Sequence, residues 1–226
     1  MQLSRIIDIT TPHETRIDHD TDILHLSTDT RKITVAENCL FIAIKGPRFD
    51  GHDYLEKAHK SGVRNFLVST KVSSLQDSNI IIVDDTIAAL QKIAGAHRAS
   101  FDLPVLAITG SNGKTTVKEM VANILRQDSL VLATEGNFNN ELGLPLTVFQ
   151  LDKSHDYAVL EMGASNPGDI AYLAGIAKPD VGLVSNIGPA HLKGFINIKG
   201  VAGAKGELFA ALPEDGAAII NAAEPW

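Results

Sequence analysis

The sequence predicts an α/β protein in two parts, a small α/β domain followed by a domain built on a parallel sheet that the chain leaves incomplete. Three observations carry this expectation. Short apolar runs of strand length alternate with stretches of helical periodicity along the 226 residues. From Val105 the alternation becomes strict, which is the mark of a parallel sheet wound through βα units. Between the two textures, Asp102-Leu103-Pro104 interrupts the chain.

In the first part, ILHLSTDTRK and NCLFIAIKG read as strand segments, Tyr54 to Ser61 as a helix, and Val63 to Ser69 and Asn79 to Val83 as further apolar strand runs. These place a first domain over residues 1–84. Thr86 to Ser100 reads as a helix with Ile87, Leu90, Ile93, Ala94 and His97 on one face, within a linker over 85–104. The second domain, 105–226, carries expected strands at Val105 to Thr109, Leu130 to Thr134, Tyr157 to Glu161, Val181 to Ser185 and Ala217 to Asn221. Helices are expected between them at Thr115 to Gln127, Glu141 to Phe149, Asp169 to Ala177 and Val201 to Leu212. The last run has central-strand character, yet Asn221 to Trp226 supplies no helix after it, so the end reads as a cut rather than a finish.

Composition narrows the class. With 44% hydrophobic and 21% charged residues and no long apolar run, the chain reads as globular, without membrane insertion. The start, MQLSRIIDITTPHETR, has neither a secretory apolar core nor transit-peptide character, and Cys39 is the only cysteine. Both point to a reducing, cytoplasmic setting. A net charge of -7 argues against nucleic-acid binding, which needs a basic face.

The strongest local signal is GSNGKTT, Gly110 to Thr116, at the carboxyl end of the buried run Val105 to Ile108. Two residues without Cβ, Gly110 and Gly113, let the backbone curl around phosphate, and the following helix adds its positive end. Lys114 supplies a point charge and Thr115 a hydroxyl suited to magnesium, so ATP with Mg2+ is the expected ligand, held by Gly110, Ser111, Asn112, Gly113, Lys114, Thr115 and Thr116. The general pattern G-x-x-x-x-G-K-[ST] is not met in full, because Ile108 stands where its first glycine belongs.

The loop TGSNGKTT is similar to the variant phosphate loop of the Mur ligases and folylpolyglutamate synthases, ATP-dependent enzymes that join an amino acid or peptide to a carboxylate. Downstream, EGNFNNELGLPLT, LEMGASNPGDI, SNIGPAHLKGF and AKGELFAALPEDGAAIIN resemble successive blocks of the Mur ligases, in the branch that adds D-alanyl-D-alanine to UDP-N-acetylmuramoyl-tripeptide. STDTRKI and FIAIKGPRFDGHDYL resemble the segment with which that family grips the uridine-diphosphate end of its precursor. Two departures stand out. Asp29-Thr30-Arg31 replaces the more usual Asp-Ser-Arg, and the family continues into a third domain that is absent here.

The resemblance implies an acyl-phosphate route to an amide, a small UDP-sugar-binding domain ahead of an incomplete P-loop ATP-binding domain, two metal ions, and a monomer. It assigns catalysis to Lys114, His191 and Lys205, metal binding to Thr115, Glu161, His191 and Lys205, and ATP contacts also to Asn139 and Asn140. Lys205 aligns with a lysine that is carbamylated in related ligases. Substrate contacts fall on Thr30, Arg31, Lys45, Gly46, Arg48, Asp50, Gly51 and His52. From residue pattern alone, Glu161 reads equally as a solvated strand-end carboxylate and Lys205 as a surface helical lysine. By the same measure, KGPRFDGHD reads as an ordinary polar turn and the loop asparagines as turn caps. Two other functions are consistent with parts of the chain, a non-catalytic nucleotide or UDP-sugar binding module and a folylpolyglutamate-type ligase. The latter has no need of a separate domain before the phosphate loop.

Overall fold

A computed structural model describes residues 1–190, 192–223 and 225, with the backbone alone for Leu192 and Lys193. Two compact units emerge, Met1–Ala96 and His97–Trp226.

The first unit runs α1 (Leu3–Thr10), β1 (Glu14–Arg16), β2 (His25–Ser27), β3 (Cys39–Ile42), α2 (Leu55–Lys60), β4 (Asn65–Val68), β5 (Asn79–Ile82) and most of α3 (Thr86–Arg98). Its sheet has the order β1-β5-β4-β3-β2, with β1 antiparallel and the rest parallel. Every residue of β3, β4 and β5 is buried, which is why those runs are apolar without alternation. Phe41 and Phe66 meet edge to face at 6.3 Å in a core that α2 closes with Leu55 and Ala58. Neither α1 nor β1 was expected from the sequence. The helix is amphipathic, with Leu3, Ile6 and Thr10 buried on one face, but it is only eight residues long with no side-chain cap at Gln2; β1 is an exposed edge strand of polar residues and carries no apolar signal.

The second unit continues with β6 (Val105–Thr109), α4 (Lys114–Leu125), β7 (Val131–Ala133), α5 (Gly143–Val148), β8 (Tyr157–Glu161), α6 (Asp169–Ala177), β9 (Val181–Val184), α7 (Leu192–Phe195), α8 (Ile198–Ala210) and β10 (Ala217–Ile220). All pairings are parallel, in the order β10-β9-β6-β8-β7. Ile108, Ala122, Ala133 and Val159 form the core beneath α4, while α6 and α8 pack on each other and on β6. Buried Arg98 ties the end of α3 to this unit by donating to the carbonyls of Phe101 (2.7 Å), Leu103 (3.3 Å), Ala177 (2.9 Å) and Lys178 (3.3 Å).

The helix expected at Glu141 to Phe149 spans Gly143–Val148, behind a turn at Glu141 and Leu142 in which Asn140 Oδ1 accepts from the amides of Leu142 (3.3 Å) and Gly143 (2.9 Å). The last strand, β10, pairs with β9 at the end of the sheet, and its four residues are exposed.

Candidate active site

The two neighbours of β6 are β8 and β9, which the chain visits in succession, so the direction of winding reverses at β6. In open α/β sheets such a reversal opens a crevice at the carboxyl ends of the strands, and ligands bind there. GSNGKTT leaves β6 at that point. A Cβ on Gly110, whose φ is +155°, would lie 1.9 Å from Ser185 Oγ at the end of β9; Gly113, at φ +77°, opens α4. Both glycines are therefore required, one by close approach and one by backbone conformation.

Segment 185–188 braces the loop. Asn186 accepts from Ser111 N with its carbonyl (3.0 Å) and from Asn112 N with Oδ1 (2.9 Å), and its Nδ2 donates to Asn112 O (3.0 Å). Ser185 Oγ also donates to Asn112 O (2.8 Å), and Ser111 Oγ exchanges hydrogen bonds with Gly188. This narrows the expectation for the loop. The amides of Ser111 and Asn112 are used internally, so those two residues shape the loop, and the donors open to an anion are the first-turn amides of Gly113, Lys114, Thr115 and Thr116. Lys114 Nζ spans the loop to Gly110 O at 2.9 Å.

Parallel register sets Glu161 opposite Ile108, beside the loop. Its carboxylate is buried and held at both oxygens: Thr115 Oγ1 donates to Oε2 (2.7 Å) and Asn139 Nδ2 to Oε1 (2.8 Å). Three residues from separate elements thus meet at one carboxylate. Gly163 keeps Asn139 in place, its amide donating to Asn139 O at 2.8 Å, and a Cβ on Gly163 would stand 2.9 Å from Asn139 Oδ1. Asn140 holds the turn ahead of α5.

A cleft of ≈ 680 Å³ opens here, bordered by Lys114, Asn139, Asn140, Asn166, Tyr172 and Lys205 among others. Lys205 is not a surface lysine; it is 3% exposed on α8. Burial first, and repulsion from the Lys114 ammonium second, pull its pKa from 10.5 down to about 8. His191 lies outside the described residues.

Magnesium suits this donor set. Among the described residues no group of three or more His, Cys, Asp or Glu side chains could hold an ion alone. Mg2+ commonly takes one or two carboxylates, with phosphate oxygens and water completing its shell, and Glu161 with Thr115 beside a phosphate loop matches that habit.

Two residues that the sequence reading passed over belong to this region, Asn186, which braces the loop, and Lys118, a fully buried lysine on α4. Lys118 had a legible signal, since it falls four residues before Ala122 on the buried face of the helix, where a charge is unusual.

In the first unit, Thr30, Arg31 and Gly51 line a separate hollow of ≈ 350 Å³ with Phe41, Phe49 and Tyr54. Asp29 caps the 3-10 turn of Thr30–Lys32 and pairs with the Arg31 guanidinium (Nη2 to Oδ2 2.7 Å), which holds the Asp29 carboxyl at about 2. Lys45, Gly46, Arg48, Asp50 and His52 do not line that hollow. Lys45 and Arg48 are exposed, Lys45 pairing with Asp50 at 3.7 Å. Asp50 accepts from His52 N (2.9 Å), and the His52 ring is consumed on both sides, Nδ1 at Asp50 Oδ1 (2.5 Å) and Nε2 accepting from Ser69 N (2.9 Å). Gly51 has no room for a side chain, since a Cβ would sit 2.6 Å from Ile44 N. Asp50 and His52 therefore hold the turn together, and Gly51 both permits it and borders the hollow.

Residues 108–226 match the Mur ligase middle domain, and residues 23–98 match the model described as Mur ligase family, catalytic domain. The UDP-N-acetylmuramoyl-tripeptide--D-alanyl-D-alanine ligase of Escherichia coli (strain K12) is 46% identical over 197 residues, covering 87% of this chain and 43% of the relative. A crystal structure of MurF from Acinetobacter baumannii superposes with a TM-score of 0.89 at 32% identity, over 98% of this chain and 49% of that one. MurF ligase from Thermotoga maritima in complex with ADP gives 0.79 at 35% identity, over 88% and 46%. The chain thus spans less than half the length of these relatives.

Proposed function

Because the chain belongs to the Mur ligase family, we propose that it is the amino-terminal and central portion of an ATP-dependent ligase that joins D-alanyl-D-alanine to UDP-N-acetylmuramoyl-tripeptide. The observation that carries this reading is the convergence of Thr115 and Asn139 on the Glu161 carboxylate, with Asn139 also lining a cleft bordered by Lys114 and Lys205. That the MurF ligase from Thermotoga maritima is in complex with ADP supports an adenine nucleotide as a ligand.

In the proposed reaction, an oxygen of the tripeptide carboxylate attacks the γ-phosphorus of ATP and ADP departs, leaving an acyl phosphate. The amine of D-alanyl-D-alanine then attacks the acyl carbon, phosphate leaves, and the amine sheds a proton. Phosphoryl transfer to a carboxylate asks mainly for positioning and charge neutralisation. The amides of Gly113 to Thr116 and the Lys114 ammonium cradle the phosphates. Mg2+, when bound, supplies neutralisation of phosphate charge, with Thr115 and Glu161 as its protein ligands, while Asn139 orients the Glu161 carboxylate.

Lys205 has two compatible uses. Protonated, it faces the cleft as a cation; neutral, it is suited to carbamylation, which would make it an anionic ligand for a second ion together with His191. Arg31 and Thr30, beside Phe49 and Tyr54, are the proposed contacts for the uridine-diphosphate end. Among the described residues no helix is long and apolar enough to cross a membrane.

Calorimetry with ATP and Mg2+, and separately with the UDP-sugar tripeptide, tests the reading. Both are expected to bind, and Lys114→Ala is expected to abolish the first alone. No ATP binding by the unaltered chain refutes the proposal. Since the chain spans less than half the length of its relatives, we expect binding without turnover from residues 1–226; amide formation by this chain alone would contradict that expectation.

A further inference from the structure

Lys118 lies on α4, one turn after Lys114, and is fully buried. Its ammonium donates to Thr134 O (2.5 Å) and pairs with Glu119 Oε1 (2.7 Å), a carboxylate that is itself half exposed. Thr134 follows directly on β7 and is held at three points. Its amide donates to Val159 O (3.1 Å), its carbonyl takes the Lys118 ammonium, and its hydroxyl accepts from Glu161 N (2.9 Å). From Thr134 the chain departs into the segment that brings Asn139 back to Glu161 Oε1.

Packing does not explain a lysine at this place. An ammonium removed from water carries a desolvation penalty even when paired, whereas Met or Leu would fill a similar volume without it. What the ammonium adds is a strong, directional donor. It is aimed at the one residue that anchors both the backbone of Glu161 and the start of the segment carrying Asn139.

We propose that Lys118 is a positioning residue for the metal-binding end of the site: through Thr134 it fixes where the Glu161 carboxylate and its Asn139 partner stand. This rests on the reading of Glu161 as a magnesium ligand. Groups that orient a metal ligand typically account for about 10- to 100-fold in metal affinity.

The test is a cycle of Lys118→Met, Thr134→Val and the double variant in this chain. The measurement is the Mg2+ concentration that half-saturates the Mg2+-dependent part of ATP binding by calorimetry. Thr134→Val keeps the carbonyl and deletes the hydroxyl that holds Glu161 N. Each single variant is expected to raise the half-saturating Mg2+ by about 10-fold. The double variant is expected to be no worse than the worse single, because both changes cut one path. Glu119→Gln, which alters only the half-exposed partner, is expected to stay within about twofold of the unaltered chain.

Effects of the two single variants that multiply, or a Lys118→Met chain that takes up Mg2+ like the unaltered one, overturn the proposal. Should Lys118→Met not fold, Lys118→Gln takes its place in the same cycle with the same criteria. ATP binding that ignores Mg2+ in the unaltered chain refutes the metal reading of Glu161 and this inference with it. A Mg2+-dependent unaltered chain with indifferent variants refutes this inference alone.

Discussion

Lys205→Met is expected to make the fold more stable while impairing the site. In the folded chain the Lys205 amine has a pKa of about 8 rather than 10.5, first because burial strips water from its charged form and second because Lys114 repels it. Between about 8 and 10.5 the unfolded chain binds more protons at this residue than the folded chain does, so the lysine's penalty shrinks as pH rises through that window. Below it the penalty is fully present. At about 1.4 kcal/mol per pH unit, the difference between the two pKa values amounts to about 3 kcal/mol. Methionine has nearly the same length and no charge, so the variant should recover up to that amount at pH 7 and almost none at pH 10.5. Urea denaturation of both chains in CO2-free buffer, followed by circular dichroism across pH 7 to 10.5, measures the difference, and other titrating groups cancel because they are common to both. A gain that is absent at pH 7, or that stays constant with pH, would refute the claim that the buried amine carries a desolvation cost.

Three further perturbations probe the geometry. Gly110→Ala drives a Cβ against Ser185 Oγ and should cost about 1–3 kcal/mol in thermal unfolding, with Ser185→Ala in the same chain restoring part of the loss. His52→Ala removes the acceptor of the Ser69 amide and the donor to Asp50, so a loss of about 1–3 kcal/mol is expected in denaturant titration; unchanged stability with weakened UDP-sugar binding would instead mark His52 as a ligand contact. Asp29 is held at about 2 by Arg31, so it contributes stability above its unfolded value of 3.8 and loses that contribution as pH falls toward 2. Melting of the unaltered chain should therefore drop between pH 4 and 2 more steeply than that of Asp29→Asn.

How much of this was legible in sequence follows from the range of the physics. Strands that are buried on both faces announce themselves as continuous apolar runs, and Val105 to Thr109 and Tyr157 to Glu161 have the bounds expected of them. So does the helix Asp169 to Ala177. An exposed edge strand of polar residues carries no such mark, which is why β1 was missed. At the candidate site, Gly110, Gly113, Lys114 and Thr115 are neighbours in the chain, and a motif can encode neighbours. Glu161 could be proposed from its place at the end of a buried run, but whether it was solvated or engaged had two answers in sequence.

The amino-acid sequence by itself determined the two-part α/β organisation and the position of the glycine-rich loop Gly110 to Thr116, because each depends on local periodicity or on adjacent side chains. Tertiary structure alone decided that Glu161 meets Thr115 and Asn139, since that contact depends on β6 and β8 being neighbours in parallel register. It also decided that Asn186 occupies two loop amides, and that Lys205 and Lys118 lie out of water. Desolvation and long-range hydrogen bonding depend on which distant segments pack together, and no local pattern in the chain records that.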